Sequence, residues 1–140
     1  MPSTSLCRRR STDAADLAGR LSLGTLTGIL ALADLTVGND SGPLNLARAV
    51  GSRTVGIYWF GNLINAGPAS RTRHRPAISW RRECPVCRAD CLYGRCSHDP
   101  TFVDDVRPEE VLGSGVELLA ASRARGDGRG EPGCREQWRL

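Results

Sequence analysis

The chain contains no lysine: all 19 of its basic residues are arginine. Such one-sided usage reads as the coding bias of a GC-rich genome rather than as a surface made for nucleic acid. Aromatic residues are also scarce, at 5%, and the arginines collect at the two ends and in the 71–82 stretch instead of alternating with rings. Nucleic-acid surfaces combine phosphate-neutralising cations with stacking platforms, so nucleic acid is not an expected partner. The net charge of +4 is too small to alter that. No apolar run approaches the roughly 18 residues needed to cross a bilayer, so no transmembrane segment is expected. Nor does a long apolar stretch follow Arg8, Arg9 and Arg10, as a secretory signal would require. The expected location is cytoplasmic, with peripheral attachment at the inner face of the membrane as a variant of it.

The most informative stretch is Leu35 to Gly51, LTVGNDSGPLNLARAVG. Leu35, Thr36 and Val37 favour a strand, the run from Gly38 to Gly42 supplies turn and cap residues, and Pro43 suits a first helical position, where its missing N–H costs nothing. Asp40 or Ser41 is the expected N-cap, and Gly51 the stop. A helix that starts this way presents unpaired amides and a positive dipole end, so an anion such as a diphosphate is its natural guest. The same string also serves as a plain capped turn.

Around this turn the pattern reads as α/β. Thr25 to Asp34 predicts a helix packed against a sheet. Thr54 to Trp59 predicts a second buried strand, which makes a right-handed parallel crossover with the first. Phe60 to Arg73 reads as an irregular loop at the carboxyl end of that strand, where ligands of such sheets sit. A short strand follows at Pro76–Trp80, and Val106 to about Ala121 predicts a last helix, with Pro108, Glu109 and Glu110 in its first turn. Asp104, Asp105, Glu109 and Glu110 are expected to be solvated. Residues 1–14 and 122–140, polar and without periodicity, are expected to be a disordered leader and tail around an α/β domain at 15–121.

Four of the six cysteines fall together as Cys84-x2-Cys87-x3-Cys91-x4-Cys96, with His98 two residues on. The two-residue gap of Cys84-Pro85-Val86-Cys87 is the spacing of zinc knuckles, and soft thiolates suit zinc or an iron–sulfur cluster. A ring of four thiolates closes the coordination shell and staples the 84–98 loop without doing chemistry. Free thiols and a redox-responsive pair are the other readings. Cys7 and Cys134 receive no role.

Taken together, ADLTVGNDSGPLNLARAVG, the strand after it, the ECPVC…C…C segment and the VRPEEVL helix resemble family 9 glycosyltransferases, the heptosyltransferase-like enzymes, over about residues 17 to 120. The resemblance implies a GT-B fold of two Rossmann-like domains. This chain would then form the latter half of the second, donor-binding domain: a partial Rossmann-like parallel sheet with flanking helices. It implies as partners a nucleotide-diphosphate sugar and a cell-envelope or other glycan acceptor, with no cofactor required for catalysis. The donor diphosphate is expected at Asn39, Asp40, Ser41, Gly42, Pro43 and Asn45. Family members commonly carry histidine where Asn45 stands. Gly61, Asn62, Arg71 and Arg73 are further candidate donor contacts. The acceptor-side catalytic carboxylate has no counterpart, so no catalytic residue is assigned and the chain alone is expected to be inactive. The competing reading is a small binding module stapled by a metal at Cys84, Cys87, Cys91 and Cys96.

Overall fold

The computed structural model describes residues 14–68, 70–94, 96–98, 100–124 and 126. Nearly all of the expected leader, and the tail beyond Gly126, lie outside the described residues. Three parallel strands form one sheet in the order β1 (Thr36–Asn39), β2 (Thr54–Trp59), β3 (His74–Ser79). Around them lie α1 (Leu23–Leu32), α2 (Gly42–Ala49), α3 (Phe60–Ala66) and α4 (Pro108–Ala124). This is the α/β arrangement expected, a partial Rossmann-like sheet with a cysteine-rich loop after its last strand.

The register pairs Gly38 with Gly56, and the two glycines together leave a flat spot on the sheet. Leu44, only 2% exposed, fills it. Its Cδ1 lies 3.9 Å from where a Cβ on Gly38 would be, and a Cβ on Gly56 would meet its Cδ2 at 2.8 Å and the Tyr58 ring at 2.4 Å. Gly38 therefore belongs to β1 rather than to the turn expected to start there, because close helix–sheet packing needs the missing side chain. At the other end of α2, Gly51 takes a φ of +82°, the left-handed conformation glycine adopts without penalty. Its amide bonds to the Arg48 carbonyl at 3.1 Å, closing the helix.

On the opposite face, α4 packs against β2 and β3 through Gly115, Leu118 and Ser122, residues spaced three and four apart on one helix side. The helix runs to Ala124, so Ser122 is a buried part of the fold and not the start of a disordered tail. Between α4 and the β1 edge lies an apolar groove of about 450 Å³, lined by Leu35, Val37, Ile57, Val111, Leu112 and Val116 among others. α1, capped by Ser22 on the Thr25 amide at 3.1 Å, packs mainly against α2, and Leu30 is its buried residue.

The Phe60–Arg73 segment differs from the irregular loop expected. Phe60 to Ala66 form α3, and the chain then crosses to the amino end of the sheet, where His74 pairs with Thr54. His74 Nδ1 lies 2.8 Å from Thr54 Oγ1, and burial, then the Arg48 and Arg73 charges, hold its pKa below 6.5. A folded-state value below the unfolded one means that the unfolded chain binds the proton first as pH falls. The stability from neutral His74 is complete above about pH 6.5 and is lost as pH drops through the folded value. Thermal melts between about pH 7.5 and about pH 5.5 should show a falling midpoint that flattens in His74→Gln; parallel curves for the two proteins would remove His74 as the cause.

Candidate functional site

Parallel strands open their carboxyl ends toward a common rim, and this is where the candidate site lies. β1 ends at Asn39, the Asp40 amide bonds to the Ile57 carbonyl at 3.0 Å, and the chain turns through Ser41 into α2. Ser41 occupies the N-cap position in an extended conformation, but its hydroxyl donates back to the Asn39 carbonyl at 2.9 Å. No side chain caps the first turn of α2. Gly42 and Pro43 open the helix on the exposed surface, with nothing within 4 Å of where a Gly42 Cβ would stand.

Beside this turn is a cleft of about 310 Å³. Asn39, Asp40, Ile57 and Trp59 line it from the strand ends, Asn62 from α3, and the Pro100–Val103 loop from the far side. Carboxylate, amide and hydroxyl groups there can hydrogen-bond a polyhydroxylated ligand, while Trp59 and Phe102 offer apolar surface. Both phenylalanines and two of the three tryptophans gather at this end. Trp59 meets Phe60 and Phe102 with ring centroids 5.2 Å apart in each pair. Its indole N–H donates to the Arg81 carbonyl at 2.7 Å.

The structure thus brings Asn39, Asp40 and Asn62 to one cleft, with Ser41, Gly42 and Pro43 at its border. Gly61 sits beneath the Trp59 ring. Asn45 turns away: its Oδ1 accepts from Arg48 Nη1 at 3.0 Å, and it lines a separate shallow depression with Arg48, Ser70 and His74. Arg71 and Arg73 are placed at the amino end of β3, at the opposite end of the sheet from the cleft, because α3 and the chain after it carry them back across. Arg73 there donates to the Gly51 carbonyl at 3.2 Å. Asp104 and Asp105 are exposed, as are Glu109 and Glu110 in the first turn of α4. Sequence reasoning missed the Pro100–Val103 wall, since nothing local marks a loop brought in by packing on Trp59.

The cysteine loop adjoins that wall. A bridge between Glu83 and Asp90, with the Arg82 Nε–Asp90 Oδ2 contact at 2.8 Å, closes a small hairpin around Cys84–Cys87. The hydrogen bond from Arg82 holds the Asp90 carboxyl below the usual range. Within the turn, the Cys87 amide does most to lower the Cys84 thiol, against burial. With a second donor from Val86 it falls from 9.0 to about 7. The donor atoms of Cys84, Cys87, Cys96 and His98 all lie within 4.8 Å of one another. Cys91 lies beside that set rather than within it: its Sγ lies 3.4 Å from the Ala89 carbonyl oxygen, and burial, followed by its hydrogen bond with the Cys96 thiol, pushes its own thiol up. Three of the four cysteines expected from spacing thus converge with His98, which the sequence places only two residues after Cys96.

A family model described as glycosyltransferase family 9 (heptosyltransferase) matches residues 4–90, from before α1 through β3 and the first two clustered cysteines. Lipopolysaccharide core heptosyltransferase OpsX of Haemophilus influenzae is 32% identical over 65 residues, which cover 46% of this chain and 18% of the relative. The chain thus matches less than a fifth of that relative's length. No solved structure matches it. Among the described residues no helix is long and apolar enough to cross a membrane. With more than half its length matched and the parallel α/β sheet in place, the chain belongs to glycosyltransferase family 9, the heptosyltransferase family.

Proposed function

We propose that this chain supplies part of the donor site of a glycosyltransferase that moves a sugar from a nucleotide-diphosphate donor to a cell-envelope or other glycan acceptor. The observation that carries the reading is the convergence of Asn39, Asp40 and Asn62 on one cleft beside the uncapped start of α2. The donor diphosphate is assigned to the Ser41–Pro43 turn, where backbone amides and the helix dipole offset its charge. Asp40 and Asn62 would hydrogen-bond hydroxyl groups of the sugar or ribose. As the anomeric carbon passes to the acceptor oxygen, the departing diphosphate gains negative charge, and the same amides and dipole stabilise it. The base that takes the acceptor proton belongs to another part of the intact enzyme, so the chain alone is expected to bind without transferring. The apolar groove along β1 supports reading it as the latter half of a larger GT-B donor domain, and the location that goes with this reading is cytoplasmic.

Gly42→Asp tests this cleanly. Its side chain would enter open space, and an acidic residue in a first helical turn stabilises by about 0.3–1 kcal/mol. A carboxylate about 5 Å from a phosphate at an effective dielectric of about 20 costs about 3 kcal/mol per charge pair before salt screening. Calorimetric titration with nucleoside diphosphates should show at least about a tenfold loss of affinity in a variant that melts no earlier. Equal affinity in the two proteins, or no binding to the unaltered chain, would sink the assignment.

A further inference from the structure

We propose that Cys84, Cys87, Cys96 and His98 bind one zinc ion in a closed tetrahedral site that fixes the Pro100–Val103 wall of the cleft. Zinc–sulfur bonds of about 2.3 Å and zinc–nitrogen bonds of about 2.0 Å define a tetrahedron with edges of about 3.5–3.8 Å. The four donor atoms already lie within 4.8 Å of one another, so a contraction of at most about 1.3 Å along any edge completes it. The turn is shaped for thiolate. The Val86 amide points at Cys84 Sγ at 3.4 Å, the Arg88 amide bonds to the Cys84 carbonyl at 2.9 Å, and Arg88 takes a φ of +61° to allow this. That conformation is uncommon for a non-glycine residue. Three thiolates and one imidazole are soft and borderline donors, which select zinc over magnesium or calcium. They also leave no open position, so the ion is structural.

The consequence follows from packing. Cys84 and Cys91 form a buried cluster with Phe102, and Trp59 and Cys96 lean on it. Phe102 and Trp59 also line the cleft. An ion that ties Cys96 and His98 to Cys84 and Cys87 therefore fixes the chain just before Pro100, and with it the wall that faces Asn39 and Asp40.

Metal content and cobalt spectroscopy of the full chain test the proposal without any sugar nucleotide, so its outcome is separate from that of the donor assignment. The chain purified with zinc should carry one equivalent. Cobalt exchanged for it should give the intense visible bands of tetrahedral coordination and a thiolate-to-metal charge-transfer band. Cys87→Ser and His98→Ala should each weaken cobalt binding by at least about tenfold, whereas His98→Cys and Cys91→Ser should keep one equivalent. Because the cobalt spectrum is read on the unaltered chain, misfolding of a variant does not blunt the test. Substoichiometric metal, an octahedral cobalt spectrum, or a loss in Cys91→Ser as large as in Cys87→Ser would overturn the assignment.

Discussion

Leu44→Ala should lower the free energy of unfolding by about 2–5 kcal/mol, the cost of deleting a buried leucine whose site cannot collapse. The site is rigid for a definite reason. Leu44 sits over the Gly38–Gly56 pair of two hydrogen-bonded strands, and neither glycine has a side chain that could move into the hole. Tyr58, 1% exposed, is held on the same surface by the packing that excludes a Cβ from Gly56. Leu44 also stands in the first turn of α2, so the variant loosens the turn that carries Asp40, Ser41 and Gly42. Urea unfolding followed by far-ultraviolet circular dichroism should show the midpoint falling at constant slope. A loss below about 1 kcal/mol would mean that α2 is anchored elsewhere.

Leu118→Ala should cost a similar amount, about 2–5 kcal/mol, for a complementary reason. Leu118 is fully buried at the centre of the α4 face, between Gly115 and Ser122, and a Cβ on Gly115 would already meet Leu35 Cδ2 at 2.8 Å. With so little other bulk on that side of the helix, one leucine carries much of the α4–sheet contact. The neighbouring Arg75–Glu117 ion pair, 3.1 Å long with Glu117 64% exposed, makes a useful contrast. Exposed pairs contribute about 0–1 kcal/mol, so Glu117→Gln should scarcely move the same unfolding curve. A larger loss in Glu117→Gln than in Leu118→Ala would show that charge, not burial, holds α4 in place.

Much of this architecture is local, and local chemistry is legible in sequence. The strand, turn and helix of Leu35 to Gly51, the second strand at Thr54–Trp59 and the proline-started α4 all follow from β-branched runs, cap residues and apolar spacing within a few positions of one another. The family resemblance rests on the same stretch taken together with the strand after it, the ECPVC segment and the VRPEEVL helix, because only their joint order is distinctive. The chain could not announce which turn residues would meet in space. Asn39, Asp40 and Asn62 share a cleft because β1 and β2 are parallel neighbours with α3 folded over their ends, while α3 and the segment after it remove Arg71 and Arg73 to the opposite end of the sheet.

The cysteine loop shows the same division. Spacing alone marked Cys84, Cys87, Cys91 and Cys96 as a group, since thiols so close in sequence have few ways to stay apart. Only the folded hairpin brings His98 among the converging donors and sets both Cys84 and Cys91 against Phe102. Fold class, the strand-turn-helix of Leu35 to Gly51 and the grouping of soft donors are legible in the residue string, because each depends on residues close together in the chain. The tertiary structure alone decided which residues face each other across the cleft and which four donors converge, because those distances are set by strand pairing and by aromatic packing between segments up to some forty positions apart.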